Sequence, residues 1–367
     1  MSRSELSKSL SHVGVGGLIL LCILIAVATF IERASGSSQA HRLIYDAWWF
    51  AGLWGIVALV GLMGMVRARM WRRPVLFLFH LAFLFVLTGA LLTSLFSVRG
   101  TMRLQQGVPS AVVQTPDAEV RLPYLVRLDT FLIHKADYES RLFIRGRQYS
   151  VHLNHVAQVA HWRFYQMDYA DEGQTVVLQV IHDPWGLSLT YVGYALLFVA
   201  GLLLLVRHVH RHRHDRVLCL RLGLAVLLAS CYVAHRVFVT PLVPVLRSPF
   251  LVVHVSVIIA AYVLMLCVAV TGRRSLLLPA VTLLTAGIFL GAVWASVSWG
   301  PYWSWDAKES WALITLIVYA LPLHERLLPW FADERHFRWY AALALACIAM
   351  TYLGVNYLLG GMHSYAP

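Results

Sequence analysis

From Val13 to Ile31 the chain reads VGVGGLILLCILIAVATFI, nineteen residues without a charge. As a helix rising about 1.5 Å per residue, such a run matches the roughly 30 Å hydrocarbon core of a bilayer. It exceeds the roughly 7–15 apolar residues of a secretory signal and therefore reads as a membrane span. Eight further stretches of the same character follow. The nine expected spans are 13–31, 47–66, 75–97, 186–206, 217–235, 249–271, 275–297, 309–324 and 339–360.

Composition agrees with that reading. Of 367 residues 59% are apolar and only 13% charged, against roughly 45–50% and 25% in a soluble domain. A soluble globular enzyme is excluded for want of polar surface, and disorder is excluded by the same numbers. The formal net charge is +12, from 30 Lys and Arg against 18 Asp and Glu. The basic residues are scattered between apolar runs, which suits membrane loops rather than a nucleic-acid interface. The expected surrounding partner is the lipid bilayer, with no nucleic acid.

Lys and Arg also orient the chain. With the N-terminus inside, the short inner segments carry 15 of them, including Arg67, Arg69, Arg72 and Arg73, while the short outer loops carry five: Arg33, Arg42, Arg236, Arg247 and Lys308. This bias predicts a cytoplasmic N-terminus and an external C-terminal tail. Residues 98–185 fall outside as well, with nine basic and nine acidic residues. The alternation at Tyr149–Leu153 and the run Thr175–Ile181 read as strands, punctuated by Gly107, Pro109, Pro116, Pro123, Gly146 and Gly173. The expected fold class is an all-α polytopic membrane protein of about nine helices. A small β-rich extracytoplasmic domain is inserted between helices 3 and 4. The five cysteines lie in or beside spans, with no Cys-x-x-Cys, so the outer domain is expected to fold without disulfides.

Five of the 13 tryptophans fall in 294–311: Trp294, Trp299, Trp303, Trp305 and Trp311. One reading is an interfacial aromatic belt. Belts spread over many helix ends, whereas these crowd one loop containing Gly300 and Pro301. The alternative is a surface for a flat apolar ligand, with Asp306, Lys308 and Glu309 at its polar edge. Four of the 17 histidines sort by depth. His254, about 8 Å into its span, and His363, after the last span, lie at the level of the tryptophan loop. His80 and His324 lie near the opposite face, where polar groups inside spans mark pathways or partners. His324 also reads as a simple helix cap beside Glu325 and Arg326. The tract Arg207–His214 reads as a basic inside anchor, or as a gatherer of metal or heme.

The segment Trp299-Gly300-x-x-Trp303-x-Trp305-Asp306 resembles the WWD signature of heme-handling proteins, most closely the cytochrome c biogenesis family CcsA. Gly354–Tyr365 and Ser248–Val255 are similar to that family's C-terminus and its other external histidine segment; Ala307 stands where the family has proline. Arg163-Phe164-Tyr165-Gln166 and His182-Asp183-Pro184-Trp185-Gly186 resemble motifs of the partner family CcsB, or ResB. Their order is that of the fused System II cytochrome c synthases, with a much shortened CcsB part.

The resemblance implies a division into 1–97, the CcsB-like membrane part; 98–185, the external domain; 186–216, a helix and Arg/His loop; and 217–367, the CcsA-like membrane domain. It implies heme b as bound substrate, His80 and His324 as an inner axial pair, and His254 and His363 as an outer pair. Trp299, Gly300, Trp303, Trp305 and Asp306 would hold the macrocycle. The implied activity is export of heme and its thioether attachment to the CxxCH motif of apocytochrome c, with thiols kept reduced by an external thiol reductant. The implied location is the bacterial inner membrane, and no acid, base or nucleophile is nominated as catalytic. Two other readings are a heme carrier without ligation activity and a di-heme b-type electron-transfer subunit.

Overall fold

A computed structural model describes residues 3–134, 137–238 and 248–359. Its long helices are α1 (Arg3–Ser35), α2 (Trp48–Arg67), α3 (Pro74–Phe96), α4 (Gly186–Arg211), α5 (Arg216–Phe238), α6 (Pro249–Thr271), α7 (Leu277–Ser298), α8 (Ala307–Ala320) and α9 (Glu334–Leu359). Among the described residues, eight are long and apolar enough to cross a membrane; α8 alone of the nine is not. The expected span 309–324 is divided because Pro322 lacks the N–H an α-helix needs. Its α-helix ends at Ala320 and a 3₁₀ turn, Leu321–His324, continues it. Together they reach about 29 Å at about 1.5 Å and 2.0 Å per residue.

The helices present large apolar side chains outward, among them Leu202, Leu220 and Leu343 at 62, 73 and 72% exposure. In water such a surface would aggregate, whereas in lipid it is the stable arrangement. Lipid supplies no hydrophobic drive between helices, so close backbone approach through small residues takes its place. Gly89-x-x-x-Thr93 on α3 meets Gly186-x-x-x-Thr190 on α4. A Cβ added at Gly89 would stand 2.7 Å from the Thr190 nitrogen and 2.8 Å from the Gly186 carbonyl. Gly89→Val is therefore expected to destabilise the bundle by about 2–3 kcal/mol, seen as earlier thermal loss of the folded protein in detergent. An unchanged transition would refute this packing account.

Between α3 and α4 lie eight strands: β1 (Val98–Gln105), β2 (Ser110–Gln114), β3 (Glu119–His134), β4 (Asp137–Ile144), β5 (Arg147–Val151), β6 (Ala157–Val159), β7 (Trp162–Ala170) and β8 (Thr175–His182). They form one antiparallel sheet in the order β5-β4-β3-β2-β1-β8-β7-β6. The strands expected around Tyr149–Leu153 and Thr175–Ile181 are β5 and β8. The Ser140 hydroxyl on β4 donates to Gln166 Oε1 on β7 at 2.5 Å. These strands are far apart in sheet order, so the sheet curls toward a barrel. Along β8, Val176, Leu178 and Val180 are fully buried, each worth about 1.5–3 kcal/mol of burial. The first and last strands are neighbours, Val98 opposite His182. The end of α3 and the start of α4 consequently emerge side by side from one edge of the sheet.

The helices pack in two groups. One core gathers side chains of α3–α9, including Leu264, Leu284, Tyr319 and Phe337; the other gathers α1, α2 and the turn at 37–45 around Leu21, Ile25 and Phe50. Ile314 of α8 belongs to the second and Leu316 to the first, so α8 bridges them. The tryptophan loop leading into α8 does the same. Trp303 packs on the first group, and Trp305 and Trp311 on the second.

Candidate functional site

The motifs singled out in the two halves of the chain meet at one seam. Arg163 Nη1 donates to Ser296 Oγ at 3.1 Å, and the Tyr165 hydroxyl to the Ser296 carbonyl at 3.0 Å. Tyr191 on α4 donates to the same Ser296 Oγ at 2.9 Å. Ser298 Oγ reaches Asn154 Oδ1 at 2.5 Å. Asp183 is buried; it accepts from the Gly186 and Leu187 nitrogens at the start of α4, and from Thr93 Oγ1 at 2.6 Å. Thr93 in turn accepts from the Tyr302 hydroxyl at 3.1 Å. Burial pushes the Tyr302 phenol up, which keeps it a neutral donor. The sheet thereby rests directly on the last turn of α7 and the beginning of the tryptophan loop.

Within the loop, Gly300 has φ +110° and Trp305 φ +59°. Trp305 is held in this left-handed conformation by its surroundings. Tyr45 stacks on its ring at 4.9 Å and 10°, while Phe50 and Trp303 meet it edge-on. Asp306 is buried at the N-cap of α8, accepting from the Lys308 nitrogen at 2.9 Å. Glu309 reaches back to the Ser304 nitrogen at 2.8 Å, a variation on the capping box. Of the five residues expected to hold a macrocycle, then, Asp306 fixes where the helix starts and Gly300 permits the turn. Trp299, Trp303 and Trp305 supply the aromatic surface. Trp299 stands edge-on to Trp294 at 4.6 Å. The indole nitrogens of Trp294 and Trp303 are buried without a hydrogen-bond partner among the described residues. A ligand with acceptor oxygens suits such donors.

Sequence reasoning did not single out His41 and Tyr45. His41 Nε2 lies 3.3 Å from the Ser304 carbonyl and Nδ1 3.3 Å from the Asp46 carboxylate. Contacts across 263 residues of chain leave no local pattern. The available signal was composition alone: His41 and Tyr45 in the short break between the first two spans, with Trp48 and Trp49 at the start of the second.

His254 lies on the first turns of α6, half-buried, with Nδ1 2.7 Å from the Gly287 carbonyl on α7. A carbonyl only accepts, so Nδ1 carries the proton. The ring lies against Gly291, where an added Cβ would come 2.6 Å from Cε1 and 2.9 Å from Nδ1. Gly291→Ala is expected to displace this ring; with His254 as the iron ligand that the resemblance implies, heme per purified protein would fall at least threefold at that end. Full retention would mean the ring's position there is immaterial. His363, the other expected outer ligand, lies outside the described residues.

At the opposite end of the bundle, His80 and His324 come together with ring centroids 6.0 Å apart and planes at 85°. They arrive from different helices, α3 and the 3₁₀ turn after α8. His80 Nδ1 donates to the Leu76 carbonyl and His324 Nδ1 to the Ala320 carbonyl, each at 2.9 Å. Each Nε2 thus keeps its lone pair, the tautomer that a metal-binding imidazole needs. With metal–nitrogen bonds of about 2.0–2.1 Å and the ring radius added on each side, two imidazoles on opposite sides of one metal stand about 6.3 Å apart. The observed separation is close to that. In donor chemistry, one Nε2 lone pair from each of two elements, the pair suits an iron porphyrin.

A helical bundle with an apolar exterior, an eight-stranded sheet seated on one end and histidines at both ends defines a polytopic membrane protein. Residues 61–186 match the ResB-like family and residues 273–363 the Cytochrome C assembly protein family. The chain is 39% identical over 159 residues to protein NrfI of Wolinella succinogenes, covering 35% of this chain and 17% of that one. It is 53% identical over 83 residues to the cytochrome c biogenesis protein CcsA of Guillardia theta (23% and 27%). The CcsA of Synechococcus sp. strain CC9605 is 38% identical over 177 residues (34% and 58%). The chain therefore spans between about a sixth and three-fifths of these relatives' lengths. Both family segments lie in one chain in this order, the arrangement of the CcsB–CcsA fusion type of cytochrome c biogenesis protein, which the chain resembles. His80 lies in the first match, His324 and His363 in the second, and His254 between them.

Proposed function

We propose that this chain takes up heme at His80 and His324, passes it to the tryptophan loop at the other end of the bundle, and attaches it there to apocytochrome c. The observation that carries the heme reading is the inner pair: two imidazoles from separate elements, both anchored through Nδ1, with ring centroids 6.0 Å apart. Heme b is the substrate rather than a resident cofactor. His254 and His363 form the outer axial pair, while Trp299, Trp303 and Trp305 support the macrocycle and Gly300 and Asp306 shape the loop. The proposed location is the bacterial inner membrane, with the N-terminus cytoplasmic and the sheet and loop on the outer face, as the distribution of Lys and Arg favours.

In the attachment step each cysteine S–H of the substrate's CxxCH motif adds across one vinyl double bond. A carbon–sulfur bond forms and a proton goes to the vinyl's terminal carbon. No electrons are exchanged, so the step needs no oxidant; it needs only thiols, which an external reductant keeps reduced. The chain's part is orientation: a fixed porphyrin edge facing the incoming thiols raises their effective concentration. The sheet seated on the loop narrows the directions from which the substrate can approach.

Co-expression with an apocytochrome c reporter, in a host lacking its own maturation system, tests the proposal. Covalent heme in the reporter is the expected result. Abundant membrane protein that holds heme while the reporter stays heme-free would reduce the assignment to a heme carrier.

A further inference from the structure

A second histidine pair lies outside this scheme. At the end of α4 remote from the sheet, His208 and His212 stand on successive turns with ring centroids 4.3 Å apart and planes tilted by 32°. His212 Nδ1 donates to the His208 carbonyl at 2.9 Å, which leaves its Nε2 with a lone pair. His208 Nε2 is buried and has no hydrogen-bond partner among the described residues. The backbone of Ser275 lies beside the His208 ring. His212 therefore has one nitrogen anchored on the backbone and Nε2 available, the arrangement of a metal-binding histidine, and the buried Nε2 of His208 lacks a partner among the described residues.

The separation decides what kind of centre they suit. With metal–nitrogen bonds of about 2.0–2.1 Å, two imidazoles on adjacent positions of one metal place their centroids about 4.5–5 Å apart, against about 6.3 Å for trans positions. The 4.3 Å pair lies just below the first range and far below the second, so it cannot clasp a porphyrin between its rings. His208 lies on the last turn of α4 and His212 caps its end, four residues apart, close to the i, i+4 spacing of common chelating pairs. Around it Arg207, Arg211, Arg213 and Arg216 are all exposed, with their charge in water, and Asp215 follows three residues after His212. Neutral imidazoles suit zinc, copper and nickel. From these observations we propose that His208 and His212 chelate one divalent transition-metal ion, its remaining positions filled by water. The site lies close to the inner pair in the connectivity of the fold. Ser275 follows Arg274, whose Nη1 bonds Glu325 at 2.9 Å, beside His324.

The test is Ni²⁺ titration of the full-length protein in detergent, bearing no polyhistidine tag. One equivalent is expected to bind, with affinity falling at least tenfold in His212→Ala and in His208→Ala. His212→Gln, which keeps a polar side chain at the helix end, is expected to show the same loss should the alanine variant fold poorly. The His210→Ala, His214→Ala double variant is expected to bind as the unaltered protein does. Binding that survives loss of His208 and His212, or that vanishes with His210 and His214, overturns the proposal. So does an absence of Ni²⁺ binding, with or without hemin binding that depends on His208 and His212.

Discussion

Replacing both His80 and His324 by alanine is expected to empty the inner site, lowering heme retained at that site by at least tenfold. The basis is geometric. Each ring is oriented by its own helix, Nδ1 to the carbonyl four residues earlier, so neither depends on the other for its position. Such outer hydrogen bonds alone typically change metal affinity about 10–100-fold, and removal of both ligands exceeds that. Either single variant should leave one imidazole and an intermediate loss. Added imidazole should restore binding in the single variants, an effect that a general folding defect would not show. The measurement is the bis-histidine heme absorption per purified protein, with the Gly291→Ala variant as a comparison affected only at the outer end. Unchanged absorption in the double variant would remove His80 and His324 from the pathway and return His324 to the role of a helix cap.

The membrane spans were legible in the sequence because lipid imposes a single requirement, about twenty apolar residues, that composition alone reports. The exception is instructive. Residues 309–324 are as apolar as a span should be, yet Pro322 converts the last turn to 3₁₀ and puts His324 on a shorter helix. The strands of 98–182 were legible in kind, through alternation and turn residues, but the sheet order was not, because pairing β1 with β8 is set by contacts some 80 residues apart in sequence. At the site, the aromatic residues and the depths of the histidines could be read directly. What could not be read was the company they keep. Tyr45 stacking on Trp305, His41 reaching Ser304, and Arg163 and Tyr165 converging on Ser296 all join remote segments. Asp306 and Glu309, read from the sequence as the polar edge of a ligand surface, also hold the start of α8.

That seam makes Gly300 the most sensitive single position of the outer site, and Gly300→Val is expected to abolish attachment while leaving inner-site heme in place. Two effects coincide there. The backbone sits at φ +110°, a conformation that costs a β-branched residue about 1–3 kcal/mol. Any Cβ would also stand 2.7 Å from Ile181 Cδ1, 3.0 Å from Gln179 Oε1 and 3.3 Å from the Tyr165 ring. Relief requires the loop and the sheet to move apart, and overpacking of this kind costs about 1–3 kcal/mol more. The bundle beneath is held by α3–α4 and α6–α7 packing that Gly300 does not touch, so the strain falls on the seam. In the reporter assay, holocytochrome should drop at least tenfold, and the loop 299–306 should become cleavable by added protease. Heme on His80 and His324 should persist, the reverse of the pattern expected for their double replacement. A Gly300→Val protein that matures the reporter normally would show that the sheet need not rest on the loop for the outer site to work. Loss of heme from both ends together would show instead that the seam supports the whole bundle rather than its outer face.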